Sequence, residues 1–334
     1  MYQPPRMSSH LLTWRQWRAR WIFAMASAKE ARTLVTGLES MEGEPASCTC
    51  HLSGGEHPAP VEVLALRIPK SSTACLSQLA SIDESRASEL DEVACVITDR
   101  AIRWRCRGAP ASYRLWRDAT NQHTSLMGSE RDKIAPFVTT ICGTREKPKP
   151  DAHLCGWVAE FVWYELTLGR PERVAGHLRR VEGPSFHATE PGGDGLAVWQ
   201  RSLDGELTFC LWEIKNHLGS APRGTITRAY GQLGARGLEY LAKLTAVEAA
   251  GPEDAAMSTL YASLVDLWVE QSDRRGAGVA VATHHRNGRT TYFADMPDKF
   301  PDFDQEWQLE GLVAAIADFK AFSLDIRERM WSVL

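Results

Sequence analysis

The pattern of apolar and polar residues becomes regular after about residue 150 and predicts alternating helices and strands. Apolar residues that recur every three or four positions predict helices, and short apolar runs bounded by turn residues predict strands. Two of the runs are joined by an Asp-Gly pair, which is the strongest short signal of a β-hairpin. The predicted elements are a helix at 152–168, a strand at 178–187, a hairpin at 194–216, helices at 225–249 and 252–268, a strand at 278–283 and a helix at 304–333.

The first 145 residues give a weaker pattern. Trp14, Trp17 and Trp21 fall at helical spacing, which predicts a helix that buries an aromatic stripe or contacts DNA or a partner. A strand is predicted at 61–68 and an acidic helix at 72–95. A polar, Pro-rich segment at 143–152 predicts a domain boundary, with an N-terminal α+β region at 1–145 and a second domain at 150–334.

The predicted hairpin brings three charged residues together. A two-residue turn at Asp204-Gly205 would place Asp194 directly opposite Lys215 and Leu196 opposite Glu213. Side chains at i and i+2 of a strand share a face, and so do cross-strand partners. The sequence therefore predicts that Asp194, Glu213 and Lys215 converge on one face of a sheet.

The residues around these charges are apolar on both faces of the hairpin, which indicates a central strand pair covered on both sides. Three charges at one end of such a pair destabilise the fold unless they bind something. The alternative interpretation is that Glu213 and Lys215 form a solvated pair on an edge strand. The apolar residues Trp212 and Ile214 favour burial over that alternative.

Composition and charge exclude little. With 44% hydrophobic and 24% charged residues and a net charge of -4, the chain has no overall nucleic-acid signature, so contacts to a polyanion must come from local patches. Apolar runs fall short of a membrane span, and the eight cysteines lack paired metal-ligand spacing, so a reducing cytoplasm is expected.

One segment is locally basic. Six arginines and no acid lie between residues 100 and 117, interleaved with aromatic residues that stack well on bases. A solvated face of the fold is the equally weighted alternative. The candidate nucleic-acid contacts are Arg103, Arg105, Arg107, Arg114, Arg117 and, further along the chain, Arg228.

Over roughly residues 151–290, the chain resembles the PD-(D/E)xK (restriction-endonuclease-like) nuclease superfamily in the order of its predicted elements. That order is a helix, three strands, a helix and a further strand. The strands carry Asp194 and then Glu213-Ile214-Lys215. The resemblance implies an α/β (α+β) fold with a mixed central sheet flanked by helices, here with an N-terminal α+β extension. Within that superfamily, Gly-Gly-Asp-Gly-Leu-Ala-Val and Trp-Glu-Ile-Lys look like the nuclease component of the Hachiman anti-phage defence system, which implies a helicase partner that gates activity.

The resemblance also implies site roles. Mg²⁺ or Mn²⁺ would be bound by Asp194, Glu213, the Ile214 carbonyl and an acid on the preceding helix, which spacing leaves open between Glu160 and Glu165, with Glu160 slightly favoured. Lys215 would orient or help deprotonate the attacking water. The implied catalytic residues are Asp194, Glu213, Lys215, Glu160 and Gln232.

The chain departs from the family pattern in two places. The Pro-Asp dipeptide is absent, because Pro191-Gly-Gly precedes Asp194, and the Gln-x-x-x-Tyr motif of some branches is replaced by Gln232-Leu-Gly-Ala-Arg236. The main alternative function is an inert nuclease-fold module that binds DNA or a partner protein. A sugar- or nucleotide-processing enzyme is a third hypothesis, which is weak because a Gly-rich phosphate motif after a strand is missing.

Overall fold

The fold is taken from a computed structural model that describes residues 60–64, 66, 75–170, 172–173, 176–184, 194–248, 255–270, 273–305 and 307–334. The predicted helix containing Trp14, Trp17 and Trp21 lies outside the described residues. All described residues belong to one unit, residues 45–334. In these ranges the structure has a mixed α/β architecture built on one sheet.

The strands are β1 (Cys75–Ile82), β2 (Glu172–Arg173), β3 (Gly176–Val181), β4 (Gly195–Arg201), β5 (Leu207–His217), β6 (Arg275–His284) and β7 (Leu309–Ile316). The helices are α1 (Pro60–Val63), α2 (Ala87–Arg105), α3 (Pro110–Asn121), α4 (Gly128–Cys142), α5 (Asp151–Leu168), α6 (Arg223–Glu248), α7 (Ala255–Val269), α8 (Met296–Lys299) and α9 (Phe319–Trp331). Short 3-10 turns lie at Glu84–Arg86, His285–Asn287 and Thr290–Phe293.

The described strands form one seven-stranded sheet in the order β1-β7-β6-β5-β4-β3-β2. β1, β7, β6 and β5 run parallel to one another, whereas β4, β3 and β2 continue the sheet in antiparallel fashion. The carboxyl ends of the four parallel strands therefore meet at one edge of the sheet, and β4 begins at that same edge. β5 lies in the centre, between a parallel and an antiparallel neighbour.

Each face of the sheet is covered by its own hydrophobic core. On one face, residues Cys210, Trp212 and Ile214 of β5 pack with side chains of α2, α3, α4, α5 and α9. On the other face, Phe209 and Leu211 pack with side chains of α6 and α7. Because side chains alternate along a strand, Glu213 and Lys215 belong to the α6/α7 face.

Two glycines allow aromatic rings to pack directly against the strand backbone. A Cβ atom on Gly195 would come within 2.3 Å of the Trp163 ring of α5, and one on Gly278 within 2.3 Å of the Trp212 ring. Trp163 and Trp212 in turn pack with ring centroids 5.6 Å apart. These contacts fix α5 against β4 and β5 next to the start of β4, where Asp194 lies.

The elements predicted from residue 150 to 284 are found in the predicted order. The helices at 152–168, 225–249 and 252–268, the hairpin at 194–216 and the strand at 278–283 are confirmed as α5, α6, α7, β4–β5 and β6. The strand predicted at 178–187 is found over residues 178–181 as part of β3, whereas residues 182–184 lie outside the strand.

Three other predictions are wrong in part. Residues 60–63 form a helix where a strand was predicted to begin, residues 75–82 form β1 within the predicted helix at 72–95, and residues 309–316 form β7 within the predicted helix at 304–333. β7 is buried at every position, so it shows no alternation of apolar and polar residues. A short run of this kind cannot be distinguished from a buried helix by its period.

The N-terminal elements share a sheet and a core with the rest of the described chain. β1 pairs with β7, and the core that contains α5 also contains residues of α2, α3 and α4, such as Ile97, Trp116 and Ile134. The predicted boundary at 145–150 thus falls between α4 and α5, which lie in one core. Across the described ranges, every helix is too short or too polar to span a membrane.

Candidate active site

The β4–β5 hairpin closes through a wider loop than the predicted two-residue turn. The Arg201 N–H donates to the Glu206 carbonyl (2.8 Å), and the Gly205 N–H donates to the Arg201 carbonyl (2.9 Å). The Asp204 carboxylate accepts from the Glu206 N–H (3.0 Å) and pairs with the Arg201 guanidinium. Gly205 adopts a φ of 75°, which favours glycine. Residues 202–205 therefore form the loop.

This loop changes the register of the hairpin. Gly195 lies opposite Trp212 and Leu196 opposite Leu211, so the predicted pairing of Leu196 with Glu213 is wrong by two residues. Continuing the observed register places Asp194 opposite Glu213 instead of Lys215. Because side chains along a strand alternate with a period of two, a shift of two residues leaves every side chain on its predicted face.

Asp194, Glu213 and Lys215 meet at the end of this strand pair. The Lys215 Nζ lies 2.5 Å from Glu213 Oε1 and 3.6 Å from Asp194 Oδ2. Asp194 Oδ2 also accepts a hydrogen bond from the Ile214 N–H at 2.7 Å. The Glu213 side chain is 1% exposed, the Asp194 side chain 17% and the Lys215 side chain 30%. The cluster therefore opens to solvent through Asp194 and Lys215, above a fully buried glutamate.

Burial and mutual repulsion perturb the two carboxyl groups. Burial, followed by the charge of Asp194, raises the pKa of Glu213 to about 7, although Lys215 acts in the opposite direction. Burial also raises the pKa of Asp194, against the effects of Lys215 and the Ile214 N–H. Burial alone would lower the pKa of Lys215, but the two carboxylates outweigh it and raise that pKa. Lys215 is therefore protonated, and burial makes the ionised form of each carboxylate partner less favourable.

The donor atoms of this cluster suit a hard divalent cation in part. Glu213 Oε2 is buried and has no hydrogen-bond partner, which leaves one carboxylate oxygen available. The N–H and C=O of one strand residue point to the same side, so the Ile214 carbonyl points to the side of Asp194. Within the described ranges, no group of three or more His, Cys, Asp or Glu side chains could hold a metal ion. Two carboxylates and a carbonyl are thus the oxygen donors gathered here.

The two candidate acids on α5 lie on the helix that covers the opposite face of the sheet. Glu165 is 3% exposed and forms an ion pair with Arg100 of α2. Burial raises the pKa of Glu165, and Arg100 opposes that shift. Glu160 is half-buried on the same helix, between Gly156, which approaches Asn216, and Trp163. The structure assigns Glu165 to an ion pair with Arg100 and gathers neither acid into a three-carboxylate group.

Two residues of helix α6, Arg236 and Tyr240, interact electrostatically with Glu213. Gln232 is half-buried on this helix, one turn before Arg236. Tyr240 is 2% exposed, and its pKa is raised by burial and then by the charge of Glu213, with a contribution from Asp194. The Arg236 guanidinium in turn acts to lower the pKa of Glu213. The sequence analysis named Arg236 only as a possible phosphate contact and missed Tyr240, although their four-residue spacing continues the helical stripe from Gln232.

The predicted nucleic-acid arginines are placed in different environments. Arg105 is 3% exposed and donates to Thr140 Oγ1 and, at 3.4 Å, to the Phe137 carbonyl, so it is not accessible to a phosphate. Arg107 is exposed and stacks on Trp104 with its Cζ 4.4 Å from the ring centroid.

The remaining arginines of this run surround an acid or face solvent. Arg103 and Arg117 are half-buried, and their charges oppose the rise that burial causes in the pKa of Asp99. The Asp99 carboxylate also accepts a hydrogen bond from the Tyr113 hydroxyl at 3.0 Å. Arg114 is exposed on α3. These helices pack on the face of the sheet opposite to Glu213.

Arg228 is exposed on α6, the helix that covers the Glu213 face, and donates to Thr225 Oγ1 at 3.3 Å. Thr225 also lies 2.9 Å from the Nδ1 atom of His217, the residue at the end of β5. Of the predicted contacts, Arg228 is thus the one on the same side of the sheet as the charged cluster.

When the chain is compared with protein-family models and with curated proteins, neither comparison gives a match.

Proposed function

We propose that this protein is a metal-dependent nuclease that hydrolyses phosphodiester bonds of DNA, with Asp194, Glu213 and Lys215 as its reacting centre. The observation that carries the proposal is the buried Glu213 carboxylate, which keeps one oxygen without a partner beside a second carboxylate and a lysine. Charges in such a place destabilise a fold, so their retention favours a function in binding or catalysis. The PD-(D/E)xK resemblance of the same three residues supports this reading.

The ligand set favours Mg²⁺ or Mn²⁺. These cations prefer oxygen donors and keep several waters, so two carboxylates and the Ile214 carbonyl are a sufficient protein share of the coordination sphere. A bound cation would supply an activated water and neutralise charge on the phosphoryl oxygens. The residues that would hold it are Asp194, Glu213 and Ile214.

Lys215 is better suited to stabilise negative charge than to accept a proton. Its ammonium group contacts Glu213 Oε1 at 2.5 Å, and the raised pKa of Lys215 keeps it protonated at neutral pH. A cation fixed next to the carboxylates is placed to stabilise charge that develops on the phosphoryl group in the transition state. Lys215 would also orient the attacking water through its remaining N–H donors.

The biological setting comes from the resemblance alone. A role in anti-phage defence and gating by a helicase partner follow from the similarity of the hairpin motif to the Hachiman nuclease component. DNA is the expected substrate on the same basis. Residues Glu160 and Gln232 stay part of the proposed catalytic set because the resemblance implies them. Glu160 lies on α5, and Gln232 lies on α6 one turn before Arg236.

The test is cleavage of plasmid and single-stranded DNA in Mg²⁺, in Mn²⁺ and in EDTA by the wild type and by Glu213→Gln and Lys215→Met. We expect cutting that requires the metal and is lost in both variants. Two matched controls are Glu310→Gln and Lys320→Met. Glu310 is a buried glutamate on β7 that pairs with Arg170, and Lys320 is an exposed lysine that pairs with Asp151.

The controls decide between the proposal and its rivals. Metal-dependent cutting that persists in both site variants would contradict the assignment of the site. DNA binding of equal strength in all proteins, without cutting under any metal, would favour the inert binding module. Loss of cutting in the two controls as well would show that cutting is sensitive to charge changes outside the site, and circular dichroism of each variant tests whether it is folded.

A further inference from the structure

A polar stripe runs along α6 above the face of the sheet that carries Glu213. Arg228, Gln232, Arg236 and Lys243 follow one another at spacings of four, four and seven residues, which places them on one side of the helix. At 1.5 Å per residue the stripe is about 22 Å long. Its middle passes over the sheet at Gly237, where an added Cβ would lie 3.4 Å from Leu211. Leu211 is two residues before Glu213 on the same face.

Arg236 occupies the centre of this stripe and is held there from two sides. Its Nε and Nη2 donate to the two carboxylate oxygens of Glu239 at 3.1 and 3.2 Å. Its Cζ lies 5.3 Å from the centroid of the Tyr240 ring, which is buried beneath it. The guanidinium is therefore presented in a fixed plane.

The same guanidinium is accessible and lies on the helix that covers the Glu213 face of the sheet. The Arg236 side chain is 42% exposed and the Glu239 side chain 50%. Arg236 directly precedes Gly237, where α6 approaches Leu211, which is on the same face as Glu213. The guanidinium therefore reaches solvent at the point where the helix crosses the strand that carries the candidate site.

The Glu239 contact is of a kind that a phosphate can replace. Arginine binds carboxylates and phosphates through the same two parallel N–H donors. An exposed ion pair on one helix contributes little to stability, because both groups are also well solvated when apart. Stacking on Tyr240 keeps the guanidinium in place when its carboxylate partner is exchanged.

We propose that Arg236 binds a backbone phosphate of the nucleic-acid strand next to the scissile bond, and that Glu239, which holds Arg236 in the free protein, competes with that phosphate. The inference rests on the proposed function and names the substrate contact that positions the strand. It places the strand along α6, between Arg228 and Lys243, instead of along the arginine-rich α2 and α3. Arg236 is a positioning residue in this scheme, and Glu239 is an electrostatic latch.

The test is nucleic-acid binding in EDTA, where cutting cannot interfere. Fluorescence anisotropy with a short labelled DNA strand, the matching duplex and an RNA of the same sequence is measured for Arg236→Gln and Glu239→Gln. The matched controls are Arg223→Gln and Asp295→Asn. These remove the same charges from an exposed ion pair at the start of α6, where Arg223 Nη2 lies 2.8 Å from Asp295 Oδ2.

We expect Arg236→Gln to weaken binding about tenfold, as the loss of a charged hydrogen-bonded contact does, and to lower the salt dependence by about one phosphate. Glu239→Gln should tighten binding about threefold, because the competing carboxylate is gone. Both controls should stay within about twofold of the wild type, as expected for a remote exposed pair. The nucleic acid with the largest difference between Arg236→Gln and wild type identifies the substrate class.

Two results would overturn the inference. Arg236→Gln that binds no more weakly than Arg223→Gln would show that Arg236 is not a substrate contact, and Glu239→Gln that binds no more tightly than Asp295→Asn would remove the latch. Either result can occur while the wild type still cuts DNA in Mg²⁺, in which case the proposed function stands. If the wild type binds none of the three nucleic acids, both the proposed function and the inference fail.

Discussion

Replacing Glu213 by glutamine should stabilise the protein while it abolishes cleavage. Glu213 is 1% exposed, and its pKa is raised from 4.5 to about 7 by burial and by the neighbouring Asp194. Folding therefore takes up a proton between these two pH values. The free energy of unfolding falls as the pH rises through that window, because the folded protein must then hold a buried, repelled carboxylate.

The size of the effect follows from the shift. Each pKa unit corresponds to about 1.4 kcal/mol, so the rise from 4.5 to about 7 gives about 3 kcal/mol once Glu213 is ionised in both the folded and the unfolded protein. The neutral glutamine removes this penalty. We expect Glu213→Gln to raise the free energy of unfolding by about 3 kcal/mol near pH 8, by about 1 kcal/mol near pH 5 and by nothing below about pH 4.

The assay is urea unfolding of both proteins across this pH range in EDTA, followed by circular dichroism. Glu328→Gln is the control, since it removes an exposed carboxylate paired with Arg145, and such pairs contribute little at any pH. A gain that is independent of pH, or a loss of stability near pH 8, would refute the reasoning. In either case the charge of Glu213 would be stabilised by its surroundings in the metal-free protein. Its unpaired oxygen would then not indicate a cost to folding.

Three further predictions concern the surroundings of the site. Mg²⁺ should raise the Tm of the wild type but not of Glu213→Gln, and equal Tm shifts in both proteins would contradict binding at this residue. At sub-saturating Mg²⁺, cleavage should rise with pH through about 7, because the Glu213 carboxyl ionises there. Gly195→Ala should lower the urea midpoint by the equivalent of about 1–3 kcal/mol, because its Cβ would overlap the Trp163 ring; an unchanged midpoint would show that the ring moves freely. Arg100→Ala should lower the free energy of unfolding by about 3–5 kcal/mol, because it leaves Glu165 buried and unpaired. The added change Glu165→Gln should restore most of this stability without affecting cleavage per folded molecule. Lost cleavage in the double variant would show that Glu165 belongs to the site.

The faces of the hairpin could be predicted from the sequence, although its register could not. The turn residues Asp204 and Gly205 predicted the right connection, but side-chain contacts of Arg201 with Asp204 and Glu206 favour a longer loop. Such contacts depend on geometry that a dipeptide signal does not contain. The predicted shared face for Glu213 and Asp194 nevertheless holds, because the register error is an even number of residues and an odd one would have reversed the face.

The outer strands of the sheet could not be predicted for a different reason. Residues 75–82 and 309–316 are buried along almost their whole length, so neither shows the alternation that identifies a half-exposed strand. Glu310, Ala314 and Ala315 in β7 are also residues that favour helices, and the intrinsic preference agrees with the wrong element. Their pairing joins segments more than 200 residues apart in sequence, which local patterns do not report.

The central position of β5 helps to determine the chemistry of the site. β5 pairs with β6 on one side and with β4 on the other, and Glu213 is covered on its own face by α6 and α7. On an edge strand the same carboxylate would be solvated, its pKa would be ordinary and its second oxygen would bond to water. The interpretation of Glu213 and Lys215 as a solvated edge pair is therefore excluded by the position of β5.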